Sequence, residues 1–188
     1  MTLPFDLEND LERQLAANPE WLAGVGWGAP RSGHPEGAAK WHIAEVLANL
    51  DRLDLDRSVR SRLRVAALVH DTWKWAVDRS KARIAPNEHG YLAARWLEAR
   101  VDDPVLVTLV KIHDEGHRAW RAHEAGREEQ ARSRTVEVKR RMGHSLALFV
   151  AFYWADNRTG TKSPEQVDWF VERLRASGCE VALPTIHT

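Results

Sequence analysis

The chain has 188 residues, enough for one domain with a substantial core and too few for two domains of ordinary size. Its 27 lysines and arginines balance 27 aspartates and glutamates, which argues against nucleic acid and against an anionic membrane as partners. One cysteine excludes an internal disulfide, and the sequence shows neither a secretory signal pattern nor an apolar run of bilayer length, so we predict a soluble, cytoplasmic protein.

Helical periodicity dominates the first half of the chain. A helix is predicted over residues 7–17 and a loop over 23–37, where glycine and proline concentrate. An apolar stripe at helical spacing predicts a second helix over 36–53, with His42 at the edge of the stripe. A third helix is predicted over 56–77.

The second half of the chain is predicted to be helical as well. Its start signals are Asn87 as an N-cap, Asp103 followed by proline, and a capping box at 163–166. The charged segment 115–141 is predicted as a solvated helical excursion; the alternative is a lid whose arginines, within 118–141, meet an anionic substrate. The predicted helices cover residues 87–100, 105–110, 142–156 and 164–177.

These elements predict an all-α fold, a single-domain helical bundle over residues 1–188, with the helices at 7–17 and 164–177 packed on the rest. The nine tryptophans are scattered without a period and are expected mainly in the core, because indole rings bury a large area. The alternative places Trp73 and Trp75, which flank Lys74, in the wall of a substrate pocket.

The dipeptide His70-Asp71 is the most informative feature for function. It follows the apolar run 65–69, which belongs in a buried helix, where two ionisable groups without partners would be costly. A divalent metal ion removes this cost, because neutral imidazole and carboxylate are natural ligands of such ions. Helical bundles build metal sites from several helices, so ligands far apart in sequence can converge. The further candidates are His42, His89, His113 and Asp156.

In this order the residues resemble the HD-domain superfamily of metal-dependent phosphohydrolases. The family pattern is a lone histidine, then a His-Asp pair after an apolar helix, then a late aspartate. In this chain those residues are His42, His70-Asp71 and Asp156.

Local segments carry the same resemblance. The sequence AALVHDTWK at 66–74 is similar to the family's His-Asp segment, and ADNRT at 155–159 is similar to its late aspartate segment. The sequence HPEG at 34–37 resembles the opening of the HD module of tRNA nucleotidyltransferases. The resemblance covers residues 34–160 and implies a helical domain of the HD type.

The resemblance also implies which side chains hold metal. In two-metal members the equivalent of Asp71 bridges both ions, and His89 and His113 would serve the second ion. The chain departs from some of these members, which carry a second histidine where Asp114 stands. The expected cofactor is a divalent ion (Mn, Fe, Co, Ni, Zn or Mg), one or two per chain. The ligands expected for the first ion are His42, His70, Asp71 and Asp156.

The expected reaction is hydrolysis of a nucleotide or another small phosphate ester by a metal-bound hydroxide, since a divalent ion lowers the pKa of bound water to about 7. Lys74, one helical turn beyond His70, is placed to contact a phosphate oxygen. His89 or His113, if not a ligand, would protonate the leaving oxygen. The residues expected to take part in catalysis are Asp71, Lys74, His89 and His113.

Two other functions fit the same residues. Some HD-fold proteins with this residue order resemble di-iron oxygenases that act on small metabolites, and bound iron with oxygen consumption would favour that reaction. A metal-stabilised binding module without activity predicts metal retention and thermal stabilisation but no turnover. The sequence leaves the substrate, the number of ions and the formation of a homo-oligomer open.

Overall fold

The computed structural model describes residues 1–30 and 37–187, whose regular secondary structure is helical apart from one isolated β-bridge between Leu53 and Ile186. The all-α prediction is confirmed for them. The motif noted at 34–37 lies, up to residue 36, outside the described residues. The helices are α1 (Asp10–Ala16), α2 (Pro19–Val25), α3 (Ala39–Leu50), α4 (Arg57–Val69), α5 (His89–Glu98), α6 (Pro104–Ile112), α7 (Glu115–Glu124), α8 (Glu128–Met142), α9 (Leu146–Asn157) and α10 (Glu165–Ala176).

Helix α9 lies at the centre of the molecule. Every residue from 148 to 157 is buried, and helices α3, α4, α8 and α10 pack around it. A helix that is apolar on every side belongs in the interior, since no face of it gains from contact with water. Asp156, one residue before the end of α9, is therefore carried into the interior with the helix.

At the C-terminal end of helix α4, side chains contact the backbone carbonyl groups that no longer have partners within the helix. The last carbonyl groups of a helix have no intrahelical partner. Here the carbonyl oxygen of Ala67 lies 3.0 Å from His70 Nδ1, that of Leu68 accepts the Trp21 indole N–H at 2.8 Å, and that of Val69 accepts the Thr72 hydroxyl at 2.8 Å. These contacts fix the turn that carries His70 and Asp71.

The N-terminal helices hold the same turn from outside. Gly24 of α2 is buried, and a Cβ atom at this position would lie 1.7 Å from the carbonyl oxygen of Thr72. Helix α1 is joined to α4 by a buried ion pair, in which Arg64 Nε donates to Glu12 Oε1 at 2.9 Å. The approach of α2 to the end of α4 therefore depends on the absence of a side chain at position 24.

Two helix boundaries predicted from the sequence were wrong. Helix α2 extends to Val25, into the segment predicted as a loop, because Asn18 and Pro19 begin a helix: the Asn18 side chain accepts hydrogen bonds from two backbone N–H groups of the first turn. Helix α4 ends at Val69 and is followed by a turn and a 3₁₀ helix at Lys74–Ala76, whereas the sequence predicted one helix to residue 77.

The start signals of the second half had mixed outcomes. Asp103 caps α6 as predicted, accepting from the N–H of Leu106. Asn87 is not the N-cap of α5, because Glu88 takes that position and the Asn87 side chain bonds the preceding loop instead. The predicted capping box at 163–166 forms only in part: the Ser163 hydroxyl accepts from the N–H of Glu165 at 3.3 Å, whereas the Gln166 side chain contacts His117 instead of the Ser163 N–H.

The charged segment 115–141 is helical, as predicted, and forms α7 and most of α8. The two helices pack on each other and on α10. In the part of the chain that the structure describes, no helix combines the length and the apolarity needed to cross a membrane.

Candidate metal centre

His70 is held in a form suited to binding metal. It caps the C-terminus of α4, and its Nδ1–H donates to the carbonyl oxygen of Ala67 at 3.0 Å, which leaves the Nε2 lone pair directed into the cluster. Complete burial lowers the pKa of His70 to about 3, so the ring is neutral at physiological pH. A metal ligand must be a neutral imidazole, and the position of His70 imposes that state.

His113 repeats this arrangement at the end of α6. It caps the helix C-terminus, its Nδ1 lies 2.8 Å from the carbonyl oxygen of Val110, and it is followed by Asp114. Burial alone would lower the pKa of His113, but the carboxylates of Asp114 and Asp71 outweigh burial and raise it to about 9. The carboxylates that favour a proton on this ring would favour a metal cation beside it for the same electrostatic reason.

The first group of ligand atoms joins three helices. His42, in the first turn of α3, is 3 % exposed, and its Nε2 lies 3.0 Å from Asp156 Oδ1 on α9. The same Nε2 lies 3.1 Å from His70 Nε2 at the end of α4. Residues separated by more than a hundred positions in sequence thus meet at one point of the interior.

The second group joins α5 and α6. His89, the first residue of α5, has its Nε2 3.2 Å from His113 Nε2. The neighbouring Gly90 explains how the helices come so close: a Cβ atom at position 90 would lie 2.9 Å from the carbonyl oxygen of Lys111. A glycine directly after His89 lets its helix approach the backbone of α6.

Asp71 lies between the two groups and uses one oxygen for each. Its Oδ2 is 3.5 Å from His42 Nε2 and 3.6 Å from His70 Nε2. Its Oδ1 is 3.3 Å from His89 Nε2 and 3.5 Å from His113 Nε2. The structure therefore brings together all of the candidate ligands, His42, His70, Asp71, His89, His113 and Asp156.

The spacing of these atoms fits a metal ion. Ligand atoms at about 2.0–2.2 Å from one ion, at tetrahedral or octahedral angles, stand about 3.0–3.5 Å from one another. The separations of 3.0, 3.1 and 3.5 Å around His42 Nε2 are of this size, as are those of 3.2, 3.3 and 3.5 Å in the second group. The separations of His70 Nε2 from Asp71 Oδ2 and from Asp156 Oδ1 are slightly wider, at 3.6 and 3.8 Å. Imidazole and carboxylate donors suit divalent ions from manganese to zinc. The residues present fit the expected cofactor.

Asp114 belongs to the second group, although the sequence comparison treated it only as a departure from the family pattern. Its Oδ2 lies 3.5 Å from His89 Nε2, and its Oδ1 lies 3.6 Å from His113 Nε2. Burial opposes its charge, but the imidazoles of His113 and His89 hold the pKa of Asp114 well below its usual range. The available signal was the second His-Asp dipeptide after an apolar helix, which repeats His70-Asp71.

Lysines balance the carboxylates of the cluster. Lys74 Nζ lies 2.5 Å from Asp71 Oδ2, and Lys162 Nζ lies 3.1 Å from Asp156 Oδ1. Against the cost of burial, these cations hold the pKa of Asp71 and that of Asp156 well below the usual range. Lys74 was predicted as a phosphate contact, whereas Lys162 was missed because it lies in a connection whose path the sequence does not specify.

A cleft with a volume of about 490 Å³ opens onto the second group. His89, Asp114 and Lys74 line it, and His117 and Arg118 of α7 form part of its wall. The walls of this cleft are Trp27, Lys74, Val77, Arg79, Arg83, Glu88, His89, Asp114, His117 and Arg118. A substrate entering here would meet the second group before the first.

Trp73 and Trp75, which the alternative interpretation placed in the wall of a substrate pocket, do not line the cleft. Trp73 is buried against Trp96, with ring centroids 4.6 Å apart, and Trp75 is 41 % exposed. Trp27 lines the cleft in their place. Trp73 therefore belongs to the core, where it packs against α5.

One arginine of the segment 118–141 reaches the cleft in the described structure. Arg118 lines it and pairs with Glu88 and with Asp114. Other arginines of the segment pair with acidic neighbours away from the cluster, as in Arg134 with Glu115.

Comparisons of the chain with protein-family models, with curated proteins and with solved structures gave no match. The helical architecture and the His/Asp cluster are compatible with an HD-type fold.

Proposed function

We propose that the protein is a metal-dependent phosphohydrolase of the HD type that acts on a nucleotide or another small phosphate ester. The observation that carries the proposal is the position of Asp71, whose two carboxylate oxygens face different histidine pairs. One carboxylate shared in this way suits two ions about 3.5–4 Å apart, the arrangement common to many phosphate-cleaving enzymes.

The order of the histidines and aspartates along the chain supports the assignment to the HD type. A lone histidine on α3, the His-Asp pair after α4 and the late aspartate on α9 follow the HD pattern, and their side chains converge. Ions bound there would lower the pKa of a water molecule and offset negative charge on a phosphoryl oxygen. The chain's own cations, Lys74 and Arg118, line the cleft where phosphoryl oxygens would be oriented.

His117 is the proposed donor of a proton to the leaving oxygen. His89 and His113, considered for this role from the sequence, both lie in the second group with their Nε2 atoms directed at carboxylates. His117 lies in the cleft wall, and its Nδ1 is 3.0 Å from Oε1 of the buried Gln166. An Nδ1–H fixed by an amide oxygen leaves Nε2 to exchange a proton with the substrate.

A di-iron oxygenase is the second candidate. Four of the seven clustered side chains are imidazoles, which suit iron, so the donor set alone does not separate the two reactions. The products separate them, because hydrolysis releases phosphate without consuming oxygen.

The test combines metal analysis with two activity measurements on the full chain. Metal content is measured on the purified protein, and phosphate release from a panel of phosphate esters and oxygen uptake are measured after loading with each candidate ion. The proposal predicts about two ions per chain and phosphate release, both lost in Asp71→Ala and kept in the matched control Asp102→Ala, an exposed aspartate outside the cleft. Oxygen uptake without phosphate release would favour the oxygenase, and bound metal with neither activity would favour a binding module.

A further inference from the structure

The cleft beside the metal centre contains more positive charge than the cluster requires. Its walls carry four cations, Lys74, Arg79, Arg83 and Arg118, against two carboxylates, Glu88 and Asp114. Two of these cations already have ion-pair partners. Lys74 pairs with Asp71, and Arg118 pairs with both Glu88 and Asp114.

Arg79 and Arg83 have no such compensation. Both are exposed, lie in the connection between the 3₁₀ helix and α5, and form no ion pair with any residue of the described ranges 1–30 and 37–187. Lys81 lies between them in sequence but has an ion-pair partner, since its Nζ lies 3.1 Å from Asp78 Oδ2, and it does not line the cleft. Two guanidinium groups without an ion-pair partner among the described residues, both lining the cleft, attract an anion.

The connection that carries these arginines is held in shape. The Asn87 side chain donates to the carbonyl oxygen of Asp78 at 2.8 Å and to that of Ala82 at 3.2 Å, and it accepts from the Asp78 N–H at 2.9 Å. The guanidinium of Arg79 lies over the Trp27 ring, 5.9 Å from its centroid. These contacts place the positive charge at the cleft before any ligand arrives, which reduces the entropic cost of binding.

We infer that the cleft takes a small substrate with two anionic groups, one that reacts at the metal centre and a second that binds Arg79 and Arg83. The second group is an oxyanion, a phosphate or a carboxylate, because the planar guanidinium forms paired hydrogen bonds with either. A volume of about 490 Å³ is that of a small-molecule site, for which volumes of about 300–1,000 Å³ are usual. The inference rests on the proposed function only in assigning the reacting group to the metal centre.

Unreactive phosphonates test this inference without turnover. Calorimetric titration of the manganese-loaded full chain would compare alkylphosphonates with α,ω-alkane bisphosphonates of two, three, four and five carbons. At the carbon length that spans the two sites, the bisphosphonate is expected to bind at least about tenfold more tightly than its monophosphonate, the gain of one charge-assisted contact. The double variant Arg79→Gln/Arg83→Gln should lose this preference and keep its monophosphonate affinity, while Lys81→Gln should keep both.

Three outcomes would overturn the inference: no bisphosphonate is preferred at any length, Lys81→Gln loses the preference as fully as the double variant, or the double variant loses monophosphonate binding equally. Circular dichroism of each variant separates these outcomes from misfolding. Failure of the proposed function gives a different result, because the bisphosphonate preference would then persist while no phosphate ester is hydrolysed.

Discussion

The side chains of the cluster differ in how they are held, and this decides what each substitution would show. His70 and His113 are fixed by hydrogen bonds to their own helices, so their Nε2 atoms are directed at the cluster by local structure alone. Asp114 is 35 % exposed and faces only the second group. Substitution of Asp114 should therefore affect metal binding at the second group and not at the first.

Asp114→Asn is expected to lower the affinity for the second ion about 10–100-fold, the usual effect of changing a residue that supports metal ligands. The affinity for the first ion should stay unchanged. Calorimetric titration with manganese would resolve the two binding steps. His42→Ala is the reciprocal variant, because the contacts of His42 Nε2 within the metal centre are with Asp71, Asp156 and His70, and it should weaken the other step. Equal weakening of both steps by Asp114→Asn would contradict the assignment.

His117→Gln tests the proton donor through the leaving group. For an alkyl phosphate the expected loss in kcat is about 10²–10⁴-fold, the contribution of general acid catalysis. For p-nitrophenyl phosphate the loss should be less than about threefold, since a leaving group that is already stable as an anion gains little from a proton. Steady-state kinetics on the two substrates provides the comparison. Equal losses on both would show that His117 supports the site in another way.

The sequence predicted the candidate metal ligands, but it did not identify every residue that lies beside them in the structure. His70 and Asp71 could be identified because ionisable groups at the end of an apolar helix need partners. The other candidates, His42, His89, His113 and Asp156, followed from the resemblance to the HD pattern. His117 gave no such signal, since a histidine in a charged segment is ordinarily solvated, and Lys162 gave none because it lies in a connection between two helices. Their roles depend on which elements pack against α9 and α7, and that information is not local.

At the scale of elements, the centre depends on how closely α2 approaches the end of α4. Gly24→Ala would place a Cβ atom 1.7 Å from the backbone oxygen of Thr72, so one of the two segments must move. We expect a loss in the free energy of unfolding of at least about 1–3 kcal/mol, the usual cost of overpacking, together with weaker metal binding because Asp71 precedes Thr72. Urea denaturation and manganese titration would measure the two effects.

Gly26→Ala is the matched control for this substitution. It adds the same methyl group two residues away, where the nearest atom to the new Cβ is 3.6 Å away and the glycine has a negative φ of −79°. Its stability and metal affinity should stay near those of the unchanged protein. If both variants lost stability equally, the cost would come from the backbone of glycine and not from contact with α4.

Asp103 connects the two helices that end in His-Asp dipeptides. It caps α6 and accepts two hydrogen bonds from Arg62 of α4, at 2.7 and 2.8 Å. Although partial burial opposes the charge, the hydrogen bonds from Arg62 and from Leu106 lower the pKa of Asp103 below its ordinary value. A carboxyl with a lowered pKa stabilises the fold above its unfolded-state pKa of about 3.9, and the stabilisation is lost as the pH falls through the lower, folded-state value.

Asp103→Ala is therefore expected to cost about 1–2 kcal/mol near neutral pH, the usual cost of losing an N-cap, and progressively less below pH of about 4. Urea denaturation of both proteins between neutral pH and pH 3 would show the difference shrinking. Asp102→Ala, which changes the exposed neighbour, should show no such difference at any pH. A cost independent of pH would contradict the assigned role of the carboxylate.

Helix boundaries show the limit of prediction from sequence at this scale. The start of α6 was predictable because an aspartate followed by proline caps a helix locally. The end of α4 was not, since it carries neither glycine nor proline and is set partly by Trp21, which lies 47 positions before the carbonyl it bonds. Overall helicity followed from periodicity, whereas the turn that presents His70 and Asp71 required tertiary contacts.

At the scale of the whole molecule, the metal centre is a junction of α3, α4, α5, α6 and α9. Three aspartates, Asp71, Asp114 and Asp156, converge there with four imidazoles from the same helices. An ion held by these side chains would link the helices that carry them, so the free energy of metal binding would add to the free energy of folding. Removal of the metal should therefore lower the free energy of unfolding of the chain.

Metal removal is expected to lower the melting temperature of the whole chain. An ion at a thousandfold excess over its Kd adds about 4 kcal/mol to the free energy of unfolding, or roughly 8–16 °C for a domain of 150–250 residues. Calorimetry of the manganese-loaded protein before and after chelation would measure this shift. Asp71→Ala, which contacts both groups, should melt at the same temperature with and without the chelator. If the chelator lowers the melting temperature of this variant as much as that of the unchanged protein, the stabilising ion lies outside the cluster.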